Sequence, residues 1–151
     1  MISDFVKGWD YNKSALRKHL ETHRQVEYNS YAKLLKRTFE LVINPVFKDK
    51  EKQFDIDRLT EIDDGQYQGS LVFLIPQDVY QPEPYNYVWT CVDYGSCSGC
   101  DTLQGISGYE DGYPTEEQVR DYMSLCLHML QRCKWLIGED EYHKQDHNDV
   151  E

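Results

Sequence analysis

Apolar residues recur along this chain at two different spacings, and the change from one to the other divides it into three regions. In "NKSALRKHLETH", residues 12–23, Leu16, Leu20 and His23 fall at helical spacing behind Asn12 or Ser14 as a cap. "NSYAKLLKRTFELVIN", residues 29–44, repeats the pattern more strongly. Tyr31, Leu34, Leu35, Thr38, Leu41 and Val42 make an apolar face, while Lys33, Lys36, Arg37 and Glu40 face out. Asn29 or Ser30 opens this second helix, and it closes before Pro45.

The middle region changes to strand character. "FDIDRLTEI" at 54–62 alternates in part, and "GSLVFLIPQ" is continuously apolar up to Pro76, as a central strand would be. "NYVWTCVDY" at 86–94 is rich in aromatic and β-branched residues. Pro82 and Pro84 interrupt the stretch between the last two, so the simplest arrangement is a three-stranded antiparallel meander.

The last region holds the clearest helix. Thr115 and Gln118 form a capping box after Pro114, with Glu116 and Glu117 in the first turn. Arg132 and Lys134 lie near its end, and Gly138 is the expected terminator. Val119, Met123, Cys126, Leu130, Cys133 and Ile137 share a face that a sheet would cover. The pattern predicts one α+β domain over 1–138, with two N-terminal helices, the small sheet, a Cys-x-x-Cys turn and the long C-terminal helix packed on the sheet. Residues 139–151, "EDEYHKQDHNDVE", read as a polar, acidic tail.

Charge adds a functional constraint. The chain of 151 residues carries a formal net charge of −11, unevenly spread. Residues 1–52 hold 11 Lys and Arg against 7 Asp and Glu, an excess of +4, whereas residues 53–151 hold 5 against 20, an excess of −15. Such a field repels phosphate backbones and steers basic partners inward, so direct nucleic-acid binding by residues 53–151 is disfavoured. The start "MISDFVKGWDYNKS" lacks the apolar run of a signal peptide, and "LVFLI" at 71–75 is far too short to span a bilayer. The expectation is a cytoplasmic protein without a membrane segment. Five cysteines, an odd number, fit a reducing compartment.

Chemistry concentrates in "YGSCSGCDTLQG", residues 94–105. A strand leads into Cys97-x-x-Cys100, and Asp101 is placed to cap a short helix beginning at "DTLQG". A helix N-terminus lowers the pKa of an adjacent thiol, which is how strand–CxxC–helix redox sites work. A thioredoxin fold needs further strands and a cis-proline after the motif, and only 51 residues follow Cys100. Zinc is the other chemical reading: Cys97 and Cys100 would supply two ligands, with Cys91, Cys126, Cys133 and His128 as completions. A second closely spaced pair is missing, and cysteines on a helix's apolar face ordinarily serve as small hydrophobes. His19 with His23, and His143 with His147, are spaced by four without the accompanying glutamate of a metalloprotease helix. The plain alternative is a tight turn in which Gly95 and Gly99 permit positive φ.

"YGSCSGCDTLQ", preceded by "YQGSLVFLI" and an aromatic strand, resembles a group of small uncharacterised proteins of tailed bacteriophages over residues 67–105. The resemblance implies no catalytic residue. It implies a small protein that acts on its host by binding, and so a non-enzymatic inhibitor of a host defence or nucleic-acid-processing complex. The expected partner is a host protein with a basic surface, met by an acidic, tyrosine-bearing patch of Tyr94, Asp101, Tyr109, Glu110, Asp111, Glu116 and Glu117. The alternative is a zinc-binding or thiol-redox protein using Cys97 and Cys100.

Overall fold

The computed structural model describes residues 2–65, 69–95, 101–108 and 112–138. The first helix, α1 (Ile2–Thr22), begins ten residues before the expected cap. Phe5, Leu16 and Leu20 are buried along it, so the apolar stripe runs through the segment from which helix was not expected. Asn12 is no cap. Its side-chain amide donates to the Val42 carbonyl at 3.0 Å and ties α1 to the next helical unit. Gly8 makes that approach close enough: a Cβ there would sit 2.7 Å from the Val42 oxygen.

The second helix, α2 (Tyr31–Thr38), opens at Ser30, whose side chain accepts from the Lys33 N–H. It continues into a π-helical turn, Phe39–Ile43, and a 3-10 turn, Asn44–Val46, that contains Pro45. The missing N–H of proline stops the helix where the sequence indicated.

Four antiparallel strands, one more than expected, form a sheet in sequence order: β1 (Thr60–Asp63), β2 (Gly69–Pro76), β3 (Tyr87–Tyr94) and β4 (Lys134–Trp135). The stretch expected as strand from residue 54 is mostly not strand. Phe54 makes a single bridge to Gln77. Asp55 then accepts from the Asp57 N–H and caps a 3-10 turn, Ile56–Arg58. A short polar side chain that hydrogen-bonds its own backbone competes with the ladder.

Two further helices follow β3, α3 (Thr102–Ser107) and α4 (Glu116–Gln131). The capping box of Thr115 and Gln118 is present on α4. This helix stops at Gln131, earlier than Gly138, because the chain turns back at Arg132 and Cys133 to lay β4 beside β3. Trp135 there packs 6.1 Å from the Phe54 ring, within an aromatic group that includes Phe5 and Phe39. Burying the indole favours the turn over another helical turn.

Val119, Tyr122, Met123, Leu125, Cys126, Met129 and Leu130 are all buried, a wider face than one stripe. The reason is that α4 packs against α1, α2 and α3 as well as β3. The Thr90 hydroxyl donates to the Met129 carbonyl at 2.7 Å and joins this helix to the sheet. Among the described residues no helix is long and apolar enough to cross a membrane.

Candidate functional site

Asp101 caps α3, as its position after the cysteines indicated, and does more besides. Its Oδ1 accepts from the Gln104 N–H at 3.1 Å and from the Tyr31 hydroxyl at 2.7 Å. Its Oδ2 accepts from the Gly95 N–H at 3.2 Å. The Tyr31 hydroxyl in turn accepts from the Leu103 N–H at 3.1 Å. Burial of Tyr31 raises its phenol pKa well above the ordinary value, so it stays a donor. Gly95 and Asp101, the described residues on either side of the Cys97–Cys100 stretch, are therefore bridged by a buried carboxylate. Cys97 and Cys100 themselves lie outside the described residues.

This placement corrects one expectation. Asp101 is 6% exposed and its carboxylate is fully engaged within the fold, so it is a structural anchor and not a surface contact. The other proposed contact residues separate. Glu116 and Glu117 are exposed on the first turn of α4. Tyr94 is partly buried, and its hydroxyl donates to Asp63 Oδ1 at 2.5 Å across the sheet. That bond and the Gly65 N–H hold the Asp63 pKa below its usual value, and the same bond pushes Tyr94 up to about 12. Tyr109, Glu110 and Asp111 lie outside the described residues.

Sequence reasoning missed a different feature. Phe73, Ile75, Val88, Thr90 and Val92 point into the core and are nearly inaccessible. Val72 pairs with Cys91 and Ile62, while Leu74 pairs with Trp89 and Thr60. By the two-residue alternation of strands, these residues occupy the opposite face. None belongs to the buried cluster, and Ile62 is 47% exposed. An antiparallel sheet with one open face ordinarily shows polar residues there. Here the open face is apolar at its centre. Beyond the Val72 row it ends in Asp64, Ser70 and Asp93, with the Ser70 hydroxyl donating to Asp93 at 2.8 Å, while Thr60 and Lys134 flank the Leu74–Trp89 row. The signal was the unbroken apolar run of β2, which a strand polar on one side does not need.

The remaining cysteines are accounted for by packing. Cys126 and Cys133 are buried, and burial raises both thiols to about 12. The Cys133 thiol also donates to the Met129 carbonyl at 3.4 Å. Without a metal both stay protonated and unreactive at neutral pH, as small apolar side chains in the core do. Cys91 lies on the open sheet face, and His128 is exposed on α4. Among the described residues no group of three or more His, Cys, Asp or Glu side chains converges to hold a metal ion. Comparison with protein families, curated proteins and solved structures found no match.

Proposed function

We propose that this chain is a non-enzymatic interaction protein that binds a basic protein, with the open sheet face as the centre of contact and the carboxylates of Asp64 and Asp93 at one end of it. One observation carries the reading: Ile62, Val72, Leu74 and Trp89 form an apolar patch on the side of the sheet away from the core, ending in Asp64 and Asp93. Apolar area supplies affinity when water leaves it, and the acidic field of residues 53–151 supplies encounter rate and selection for a basic surface. A second copy of so acidic a chain would bring like charges together, so a basic partner fits better. The phage-like motif directs the proposal to a bacterial target, a defence or nucleic-acid-processing complex whose phosphate-binding ground the acidic end would occupy.

The test is capture from host lysate with the wild-type protein, Val72→Lys, and a charge reversal of Asp64 and Asp93. One basic partner retained by the wild type, lost from V72K and released from the charge reversal at lower salt supports the reading. Equal retention by all three proteins overturns it.

A second reading rests on the Asp101 bridge, which brings together the two ends of the Cys97–Cys100 segment. Under it the pair binds zinc or cycles between thiol and disulfide. Native mass spectrometry of the untreated protein tests it: one bound zinc lost on replacing both cysteines by serine supports the metal form. Fast labelling of metal-free protein at Cys97 supports the redox form, and slow labelling without metal rejects both.

A further inference from the structure

Between α1 and α4, away from the open sheet face, lies a pocket of about 450 Å³. Its floor is apolar and nearly inaccessible: Phe5, Leu130 and Cys133 are 7%, 4% and 5% exposed. Hydrogen bonding of the Cys133 thiol to the Met129 carbonyl keeps that sulfur turned to the protein. Val6 and Leu127 form the walls, Val6 at 55% exposure. Trp9, Asp10 and Gln131 complete the lining. The volume falls within the roughly 300–1,000 Å³ typical of small-molecule sites, whose walls are mostly apolar with a few polar groups that set orientation.

The helix itself gathers these groups. Phe5 with Trp9, and Val6 with Asp10, are four residues apart and so stand one above the other on α1. Leu127 and Leu130, three apart, are neighbours on α4 in the same way. Among the described residues the only ionic group in the lining is the Asp10 carboxylate, and the Trp9 indole lines the same pocket. A carboxylate at an otherwise apolar pocket attracts an ammonium by charge, and an aromatic wall also tolerates a cation. The apolar floor suits a hydrocarbon body.

We infer that this pocket binds a small amphipathic amine, its apolar body on Phe5, Val6, Leu127 and Leu130 and its cationic head at the Asp10 carboxylate. The assignment stands apart from the protein-binding face.

Titration of the full chain with decyltrimethylammonium, decanol and decanoate, all below their aggregation concentrations, tests the assignment through backbone amide NMR shifts and tryptophan emission. The ammonium is expected to bind tightest, decanol more weakly and decanoate weakest, with shifts centred on Val6, Trp9 and Leu127. Asp10→Asn is expected to lower ammonium affinity roughly 2- to 5-fold, in the range of an exposed, partly screened ion pair. Asp121→Asn, the same charge change on α4 outside the pocket lining, is expected to alter it less than about twofold. Because Asp10 is exposed, the D10N chain keeps its fold. Equal affinity for the three ligands, equal effects of D10N and D121N, or shifts lying elsewhere would overturn the assignment.

Discussion

Replacing Asp101 by alanine removes three hydrogen bonds at once, those from Tyr31, Gln104 and Gly95. A capping side chain contributes about 0.5–2 kcal/mol, and a buried hydrogen bond to a charged group about 1.5–3 kcal/mol. These do not add fully, because Gln104 and Gly95 can recruit water once the loop base opens. A loss of about 3 kcal/mol for Asp101→Ala follows as the central figure. Tyr31→Phe keeps the ring and removes only the hydroxyl, for a loss of about 1–2 kcal/mol. Since both deletions break one shared bond, the double variant is expected to fall short of additivity by about 1 kcal/mol. Urea unfolding followed by far-ultraviolet circular dichroism measures all three. A cost for Asp101→Ala below about 0.5 kcal/mol, or strict additivity with Tyr31→Phe, would refute the view that this carboxylate bridges the residues on either side of the Cys97–Cys100 stretch.

Gly8→Ala gains helix propensity of about 1 kcal/mol but forces a Cβ to 2.7 Å from the Val42 oxygen, so net destabilisation of about 1–3 kcal/mol is expected in the same urea assay. His19 has its folded-state pKa lowered below 6.5 by burial, then by His23 and Arg37, against Glu27 and Glu40. The unfolded chain therefore binds the proton more readily; the neutral ring's contribution is intact above pH 6.5 and is lost as pH falls through the folded value. The urea midpoint of the wild type should accordingly drop more between pH 7.5 and 5.5 than that of His19→Gln. Cys126 and Cys133, with thiols at about 12, should react with a maleimide only after unfolding, which peptide mapping of protein labelled with and without urea checks. Val72→Lys should leave the unfolding midpoint within about 1 kcal/mol of wild type, since the residue lies on the open face of the sheet.

Local patterns made much of the architecture legible before any coordinates. Ser30 as a cap, Pro45 as a stop, the Thr115–Gln118 box, Asp101 at the start of a short helix and β2 as an inner strand all follow from residues a few positions apart. Those are short-range effects of backbone donors, φ restriction and alternation, and they act wherever the chain is placed. The start of α1 escaped notice because the charged and polar residues between Phe5 and Leu16 obscure a stripe that Trp9 continues. The end of α4 escaped because nothing between Arg132 and Gly138 breaks a helix on its own.

Tertiary structure decided what depends on neighbours distant in the chain. Trp135 leaves the helix because Phe54, eighty-one residues earlier, offers it a ring to pack against. Asp101 looked like a surface carboxylate until Tyr31 and Gly95 enclosed it, since a side chain's burial is set by the elements that close over it. The face of Val72, Leu74 and Trp89 is the same kind of result. The residue pattern could show that β2 and β3 are apolar on both sides, but only the packing of α4 on β3, and of the core around it, set which face is buried. The sequence alone therefore determined the caps of α2, α3 and α4, the two inner strands and the acidic field; which apolar and acidic groups remain at the surface was settled by three-dimensional packing, because exposure is a property of the whole fold.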